Sequence, residues 1–547
     1  MRELPTKVSP GARRLALAVA LGLLAAAPPA WPQGIELNAA PSGKVAPATV
    51  PQKDGAVELT LDQAVEIALH QNLGVVLQQY TRTETRLSIL QALGIYDLLP
   101  SATLTASETQ QPVTNRNNPS LSRTQTANLG VSQLFPWGGS ASVGVGASRQ
   151  FVTFTDANLN TLGSLFYTSG LTFNYNQPLL RNFGRLVTER TLLIAQNNSQ
   201  VSSQEFVRQV TLITQQVINA YWTLVNAREQ LVVAQESLGL AKELHERNKI
   251  QVQVGTMAPL ELVQSEATIA TREEGIISAQ QGVGDAEDQL RQLLNLPGDL
   301  WSHEVRPLTD AKTTHPTINV DQAIATALQA RPELHSQELA IQLAQLNSSL
   351  AKNSYLPQLD LKLSYGPSGA GPDLSSAFTQ VDRLNFPSWT TTLIFSVPLQ
   401  NRAARAASAI ADLDVDRNKV QFDQLRTTVI TEVRTAARRV ETAAKQIDAA
   451  TASRVAQERN LDAERKRFEN GMSTTFEITR IQDDLTTAKS AEVTAIVGYR
   501  TALAEYYRAT GTLLDEEKIK VLDADPTVHR FTFANEVGAY EGAHGGK

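Results

Sequence analysis

Histidine is the side chain used most often for metal binding and for acid–base catalysis near neutral pH. The chain has seven histidines, and no two of them have a spacing that would place both rings on one face of a helix, as a metal site requires. They are His70, His245, His303, His315, His335, His529 and His544. The chain has no cysteine, so it can form no disulfide, no thiolate metal site and no cysteine nucleophile. The sequence therefore predicts no metal site.

Two other short patterns could in principle support catalysis or cofactor binding. Gly282-Val283-Gly284 lies inside a helical stretch with no strand before it, so it does not have the context of a phosphate-binding loop. Asp483 and Asp484 lie on a polar helix face, where carboxylates solvate the helix rather than act as a general acid and base. With a formal charge of −6 the chain also lacks the basic surface that nucleic-acid binding needs. We expect no catalytic residue, no cofactor, no enzyme activity and no nucleic-acid partner.

A pair of glutamates repeats with a fixed separation along the chain. Glu261 and Glu477 are 477 − 261 = 216 residues apart, and each follows a glycine by six residues, Gly255 and Gly471. The glycines interrupt polar helical sequence and are expected to end one helix before the next begins, and Pro259 suits a first helical turn. A carboxylate in a first turn is favoured by the helix dipole alone. The pattern predicts two helical hairpins with acidic second helices.

The elements around these hairpins form one plan that occurs twice. Residues 62–65 (Asp-Gln-Ala-Val) return as residues 321–324 (Asp-Gln-Ala-Ile), an offset of 259, and Phe206 and Phe422 share the 216 offset of the glycines. Each copy reads as helix, strands, long helix, turn and helix. The predicted divisions are a first repeat at 58–300 with strands at 101–180, a connector at 301–319, and a second repeat at 320–514 with strands at 359–399.

The long helices have a heptad pattern, in which apolar positions alternate steps of four and three residues. In the first copy these positions are Phe206, Val210, Ile213, Val217, Ala220, Leu224, Ala227, Leu231, Ala234, Leu238 and Ala241. In the second copy they are Phe422, Val429, Val433, Ala436, Val440, Ala443, Ile447 and Ala450. Helices over residues 189–253 and 403–469 would each be about 100 Å long. We expect antiparallel rods packed side by side.

The segments predicted as strands are unusually poor in charge. Between residues 124 and 180 the only charged residues are Arg149 and Asp156. Apolar and polar residues alternate there, for example at 171–176, and eight of the fifteen phenylalanines fall in 101–180 or 359–399. A soluble β-sandwich also alternates, but scarce charge and aromatic residues favour strands of a membrane barrel. Because such barrels need at least eight strands and lipid tolerates no open edge, several protomers would have to share one barrel.

The two ends of the chain differ from its centre. Basic residues precede an apolar run at 15–27, which is too short to span a membrane and is typical of a secretory signal peptide, placed at 1–30. Residues 31–57 are rich in proline, alanine and glycine and predict a flexible lead-in. We expect a disordered tail at 515–547.

At this level of detail the chain resembles the TolC family of outer-membrane efflux proteins. The resemblance rests on Ala-Leu-Gln-Ala-Arg-Pro-Glu-Leu at 327–334, Tyr-Leu-Pro at 355–357, and Asn-Gln-Pro-Leu at 176–179 echoed by Ser-Val-Pro-Leu at 396–399, in addition to the duplicated plan. It implies a mixed α and β membrane protein, a homotrimer whose transmembrane β-barrel lies in outer-membrane lipid and continues as an α-helical coiled-coil barrel in the periplasm. It further implies docking on a periplasmic adaptor (membrane fusion) protein and an inner-membrane RND or ABC transporter, in tripartite efflux or type I secretion.

The same resemblance assigns roles to the two hairpin turns. It implies that an adaptor contacts Gly255, Thr256, Gly471 and Met472, and that the periplasmic aperture is lined near Glu261, Glu477 and Arg480. Rings of carboxylates from symmetric protomers select cations. The chain departs from the family in having Arg480 where a second acidic residue is usual.

Two further departures concern the latch of the aperture and the number of strands. Phe468 and Ser473 stand where the family has a tyrosine and an arginine that hold the aperture closed. The family usually has two strands in the first half, whereas residues 101–180 could hold four around the Pro-Trp-Gly-Gly sequence at 136–139, either as an extracellular flap or as an enlarged barrel.

The expected function is an exit duct that conducts substrates passively out of the cell. The alternative is a soluble periplasmic scaffold or adaptor built on a long coiled coil. Such a protein would explain the signal peptide and the heptads equally well. It would not explain strands with almost no charge.

Overall fold

The structure, a computed structural model, describes residues 52–53, 56–112, 119–155, 161–309, 318–521 and 531–532. The predicted signal peptide, most of the lead-in and most of the tail lie outside these residues. Within them the chain combines long helices with antiparallel strands, which confirms the mixed α and β class.

Two helices, at 190–253 and 402–469, have 64 and 68 residues. All the α-helices of the described residues are numbered in chain order. They are α1 (Leu61–Gln71), α2 (Leu73–Leu93), α3 (Arg185–Thr188), α4 (Arg190–Gln253), α5 (Leu260–Leu294), α6 (Val320–Ala330), α7 (Pro332–Tyr355), α8 (Leu374–Asp382), α9 (Arg402–Glu469), α10 (Thr475–Thr510) and α11 (Leu513–Glu516). Over this described part of the sequence, no helix is both long enough and apolar enough to cross a membrane.

The strands form three sheets in the described residues. They are β1 (Gln52–Lys53), β2 (Ala56–Leu59), β3 (Leu99–Gln110), β4 (Leu121–Leu134), β5 (Ser140–Thr155), β6 (Thr161–Pro178), β7 (Glu304–Pro307), β8 (Gln358–Gly371), β9 (Phe386–Ser396), β10 (Lys520–Val521) and β11 (Phe531–Thr532). The sheet orders are β1-β2-β7, β10-β11 and β3-β4-β5-β6-β8-β9.

The helices repeat at the two offsets that the sequence shows. Helices α1 and α6 both have 11 residues, and their first residues are 320 − 61 = 259 apart. Each begins after a side-chain cap, Thr60 for α1 and Asn319 for α6, which satisfies free backbone N–H groups of the first turn. The last residues of α4 and α9 are 469 − 253 = 216 apart, and those of α5 and α10 are 510 − 294 = 216 apart.

The chain divides into two compact units. The described residues within 85–199 and 340–418 form the first, here called the strand unit, and those within 52–84, 200–339 and 419–532 form the second, here called the helical unit. Each unit therefore takes segments from both sequence repeats.

The strand unit contains one antiparallel sheet of six described strands. The first repeat contributes four, β3 to β6, and the second contributes β8 and β9. Residues 101–180, which by sequence could hold four strands, thus contribute two more than the family usually has in its first half. The additional hairpin, β4 and β5, lies within the sheet between β3 and β6.

The two faces of this sheet differ in polarity across five of its six described strands, β4 to β6, β8 and β9. One row of register partners on one face is Val131, Val143, Phe173, Tyr365 and Trp389. The adjacent row on the opposite face is Ser132, Ser142, Asn174, Ser364 and Thr390. Because side chains alternate along a strand, this register separates an apolar face from a polar face. The predicted alternation at 171–176 belongs to the same pattern.

Helix α8, in the connection between β8 and β9, packs on β6 and β8. Ala377 of the helix is fully buried, and a Cβ at Gly369 would lie 2.1 Å from the Ala377 carbonyl oxygen. Gln380 exchanges two hydrogen bonds with the backbone of Ala370, at 3.1 and 2.8 Å. Glycine at 369 is thus required because any side chain would displace the helix.

The core of the helical unit follows the predicted heptads. In α4, Phe206, Val210, Val217 and Leu224 are fully buried, and in α9 Val429 and Val433 are buried at equivalent positions. The small residues of the seam also lie inside, since Ala220, Ala436 and Ala443 are buried. Burying each large apolar side chain stabilises the fold by roughly 1.5 to 3 kcal/mol.

Two segments predicted to lack order take part in this core. Val57, assigned by sequence to the lead-in, is fully buried in β2, which pairs in parallel with β7 of the predicted connector. At the other end Leu513 and Ile519 are buried in the same cluster as Val57, so residues 515–521 of the predicted tail are folded. Strands as short as β2 and β7 are too short to show periodicity. Their pairing joins segments about 250 residues apart, so no local pattern indicates it.

Burial near this folded tail raises the pKa of Glu517 to about 7, with Asp62 and Glu516 adding to the rise. A carboxyl whose folded pKa exceeds its unfolded value of 4.5 stabilises the fold fully below that value and loses this contribution as pH rises through 7. Glu517→Gln should therefore unfold at a higher temperature than the parent at pH 8 and show little advantage at pH 4.5. The expected difference between the two pH values is at most about 3 kcal/mol.

Thermal unfolding followed by circular dichroism at both pH values would measure this difference. Glu229→Gln, at an exposed position of α4, is the matched control. Its unfolding temperature relative to the parent should be the same at both pH values. An equal advantage of Glu517→Gln at both pH values would contradict the assignment.

Candidate functional site

The two predicted hairpin turns lie in the helical unit and have the same backbone geometry. At the first turn Gly255 has a φ of +80°, its N–H donates to the Val252 carbonyl at 3.0 Å, and the Thr256 N–H donates to the Gln251 carbonyl at 2.9 Å. This pair of bonds is a Schellman motif, which requires a left-handed residue and favours glycine. The Thr256 hydroxyl donates to the same Gln251 carbonyl at 3.0 Å.

The second turn repeats this arrangement 216 residues later. Gly471 has a φ of +69°, its N–H donates to the Phe468 carbonyl at 3.0 Å, and the Met472 N–H donates to the Arg467 carbonyl at 2.9 Å. The next helix then starts with a side-chain cap, since Thr474 accepts a hydrogen bond from the Glu477 N–H at 3.3 Å. The structure confirms that both glycines end a helix.

The surface around the turns is open and partly apolar. Among the described residues, no atom lies within 4 Å of a Cβ built at Gly255 or Gly471. Val254, Met472 and Phe476 are each about two-thirds exposed, at 68%, 63% and 60%. Large apolar side chains exposed together are a common feature of protein contact sites. This arrangement offers two neighbouring glycine turns with unhindered backbone and flexible apolar side chains.

The two acidic residues differ in their surroundings. Glu261, in the first turn of α5, is partly buried, and one of its carboxylate oxygens has no hydrogen-bond partner in the described part of the chain. Glu477, in the first turn of α10, is half-exposed and accepts a hydrogen bond from Arg480 at 2.9 Å. One Glu261 oxygen thus lacks a hydrogen bond among the described residues, whereas the Glu477 carboxylate is paired with Arg480.

Arg480 links two carboxylates along the exposed side of α10. It pairs with Glu477 at 2.9 Å, one turn before it, and with Asp484 at 3.3 Å, one turn after it. The hydrogen bond to Glu477 raises the pKa of Arg480. Asp483, which the sequence predicted only to solvate the helix, forms an ion pair with Arg272 of α5. The net charge of the Glu477, Arg480 and Asp484 group is −1 per chain.

The two residues at the family's latch positions have structural roles within this chain. Phe468 is 4% exposed and packs in a hydrophobic cluster with Leu244 and Ile478. Ser473 donates a hydrogen bond to the Glu464 carboxylate, which also pairs with Arg467 at 3.1 Å. Both side chains therefore stabilise the second turn.

Contacts that the sequence did not predict hold the two hairpins together within the helical unit. Arg247 of α4 pairs with Glu469 of α9 at 2.7 Å, and the fully buried Asn248 donates to the Thr475 hydroxyl at 3.4 Å. Lys489 of α10 pairs with Glu236 of α4 at 2.6 Å. Charges of opposite sign face each other here across helices that are distant in sequence, and no short-range pattern indicates them.

Throughout the described ranges, no group of three His, Asp or Glu residues is placed to hold a metal ion. What the hairpin ends offer is therefore a set of exposed contacts and fixed charges. Residues 323–512, which include the second turn and Glu477, match the family model described as outer membrane efflux protein. The chain is thus similar to this family over 512 − 322 = 190 of its 547 residues.

One relative is similar in sequence to part of the chain. The pyoverdine export outer membrane protein OpmQ of Pseudomonas putida is 27% identical over 199 residues, which are 36% of this chain and 40% of OpmQ. The matching segment thus spans less than half the length of this relative.

Solved structures share the fold over most of the chain. The CmeC outer membrane channel of Campylobacter jejuni matches with a TM-score of 0.62 and 16% identity, covering 84% of this chain and 89% of CmeC. The open-state MtrE outer membrane channel of Neisseria gonorrhoeae matches with a TM-score of 0.58 and 17% identity, covering 83% of this chain and 89% of MtrE. Most of the chain therefore shares the fold of these channels.

Proposed function

We propose that this protein is the outer-membrane exit duct of a tripartite export system. In this proposal three copies share one transmembrane β-barrel, and their helices form a tunnel in the periplasm. Substrates move passively through both, with energy supplied by an inner-membrane RND or ABC transporter acting through a periplasmic adaptor protein.

The observation that carries the proposal is the polarity of the six-stranded sheet. Its apolar face exposes Leu104, Leu129, Trp389 and Leu393 at 58% or more. Strands with one exposed apolar face and one polar face suit a wall between lipid and water. A soluble periplasmic scaffold would have to leave this apolar surface in contact with water, at a cost of about 25 cal/mol for each Å².

The hairpin ends fit the periplasmic end of such a duct. The open glycine turns at Gly255 and Gly471, with Thr256 and Met472 beside them, are proposed to contact the adaptor. In a symmetric trimer, Glu261 and the group of Glu477 and Arg480 would repeat around one axis. Rings of carboxylates of this kind would line the aperture and favour cations.

Recordings from planar lipid bilayers test the proposal. The detergent-purified protein should form cation-selective channels of defined conductance. Purification would also separate the two candidate functions, because a scaffold should remain soluble without detergent. A protein that stays soluble in plain buffer and forms no channels would overturn the exit-duct function.

Two charge variants should move the selectivity in opposite directions. Glu477→Gln changes the net charge of the Glu477, Arg480 and Asp484 group from −1 to 0, and Arg480→Gln changes it to −2. One charge near an ion path contributes about 1 kcal/mol in water, so the cation-to-anion permeability ratio should fall roughly fivefold in the first variant and rise similarly in the second.

Reversal potentials in asymmetric KCl would measure these ratios. Glu441→Gln is the matched control, because it removes an exposed, ion-paired carboxylate of α9 about one helical turn before Lys445. If Glu477→Gln and Glu441→Gln gave the same ratio as the parent, Glu477 would be only a favourable first-turn residue.

A further inference from the structure

We infer that the additional hairpin formed by β4 and β5 is part of the barrel wall, so that three copies build an 18-stranded barrel instead of a 12-stranded one. The inference rests on the proposed function. A chain with two strands in each repeat would contribute four strands per copy, or 12 in a trimer, whereas this chain contributes six. The alternative role for the hairpin is a flap beyond the outer end of the wall.

The position of the β4–β5 turn argues against a flap. The Gly184 N–H donates to the Trp137 carbonyl at 3.1 Å, and the Trp137 indole N–H donates to the Tyr175 hydroxyl at 3.1 Å. Gly138 has a φ of +89°, and a Cβ there would lie 2.8 Å from the Asn182 carbonyl oxygen. The turn is therefore fixed beside the end of β6, at the edge of the sheet where β6 leaves for the helices.

Strands β4 and β5 are also long enough to cross a membrane. Strands β4 and β5 have 14 and 16 residues, against 12 for β3 and 18 for β6. About 9 to 11 residues suffice for a tilted strand to cross the hydrocarbon core. Strands β4 and β5 pair continuously with their neighbours, so they cover the same height as β3 and β6.

The two faces of the hairpin follow the polarity of the rest of the sheet. Leu129 of β4 faces Val145 of β5 in register, and Val145 in turn faces Leu171 of β6 on the apolar face. On the polar face, Asn128 of β4 lies opposite Thr103 of β3. A flap exposed to water on both sides would have no reason to keep this separation.

The free edges of the sheet specify what completes the wall. Strands β3 and β9 each pair on one side only in the described chain, and open edges are not tolerated in lipid. Six strands are also fewer than the eight of the smallest barrels. Because the strands alternate in direction and their number is even, β9 of one copy runs antiparallel to β3 of a second copy. The partner for both edges is thus another copy of this chain.

Barrel diameter grows roughly linearly with strand number. An 18-stranded wall should therefore be about 1.5 times as wide as a 12-stranded one, and barrels of 16 to 18 strands enclose an open aqueous channel. Passage through the outer membrane would then be limited at the helical end of the duct rather than in the barrel.

Cysteine accessibility tests whether the hairpin lies in the wall, because the parent chain has no cysteine and each introduced thiol is unique. The variants are Leu129→Cys and Val145→Cys on the apolar face, and Asn128→Cys and Ser142→Cys on the polar face. Leu393→Cys on the apolar face and Thr392→Cys on the polar face are the reference pair on β9. The probe is a membrane-impermeant maleimide added to protein in lipid vesicles.

The wall arrangement predicts labelling at the polar-face positions of β4 and β5 at least about tenfold faster than at the apolar-face positions, because lipid excludes the reagent. Equal labelling of both faces of β4 and β5, with alternation kept on β9, would overturn the 18-stranded wall and leave the exit duct intact. Loss of alternation on β9 as well would overturn the proposed function.

Electron imaging of the unmodified protein in detergent gives a second measurement that needs no variant. Particles with three-fold symmetry and 18 strands in cross-section are expected. A barrel of 12 strands, formed by two copies or by four strands from each of three copies, would overturn the inference.

Discussion

Replacing Trp222 with alanine should destabilise the protein by about 3 to 5 kcal/mol, the usual cost of removing a large buried aromatic side chain. Trp222 is 2% exposed in the core of the helical unit. Its ring meets that of Tyr221 edge to face, with centroids 5.8 Å apart, and the Arg500 guanidinium lies 5.2 Å from its centroid. The substitution would leave a cavity and remove the aromatic face against which Arg500 lies.

Thermal and denaturant unfolding in detergent, followed by circular dichroism, would measure this loss. Trp301→Ala is the matched control, because Trp301 is 45% exposed and its removal leaves no comparable cavity. We expect the control to lose less than half as much stability. Similar losses for both variants would mean that the region around α4 is less well packed than the structure indicates.

Replacing Arg331 with methionine should also destabilise the protein, by about 3 kcal/mol, because the partly buried Glu333 and Glu432 lose the nearest cation of their ion pairs. Arg331 follows α6, its side chain is 6% exposed, and it pairs with Glu333 at 2.9 Å and with Glu432 of α9 at 2.5 Å. Burial alone would raise the pKa of Glu333, but the hydrogen bond and charge of Arg331 lower it. The arginine therefore keeps this carboxylate ionised within the fold.

A second substitution separates the ion pair from simple packing. Glu432→Gln added to Arg331→Met should recover part of the lost stability, because it removes one of the two carboxylates that lost Arg331 and leaves Arg508 with Glu505. Lys445→Met is the exposed control, since surface pairs such as Lys445 with Glu441 contribute about 0 to 1 kcal/mol. No recovery in the double variant would show that Arg331 acts through its aliphatic part alone.

Arg331 and Glu333 also belong to the sequence motif at 327–334 that carries part of the family resemblance. The motif indicated the family resemblance. Its physical role is seen only from the position of Glu432, which pairs with Arg331 and lies 101 residues further along the chain. Such a contact depends on how α9 packs, and no local pattern encodes it.

In the candidate site, too, local features could be predicted from the sequence and contacts between distant helices could not. The glycine turns could be predicted because a left-handed residue at the end of a helix favours glycine whatever surrounds it. The Glu261 and Glu477 positions followed from their spacing. The pairing of Arg480 with Glu477 and Asp484 is local, at one helical turn in each direction, and helix geometry could have indicated it once α10 was assigned. The Arg247–Glu469 and Arg272–Asp483 pairs could not be found, because each joins different helices.

The sequence by itself determined the duplicated plan, the long helices, the buried heptad seam and the alternation of the strands. These features are periodic or local, so each window of the chain contains the information that specifies it. Only the tertiary structure decided that Val57 and Ile519 belong to the core and that β4 and β5 lie between β3 and β6. The reason is physical: strand pairing and burial depend on partners that are remote in the chain, and the same alternating segment fits a flap or a wall until its neighbours are fixed.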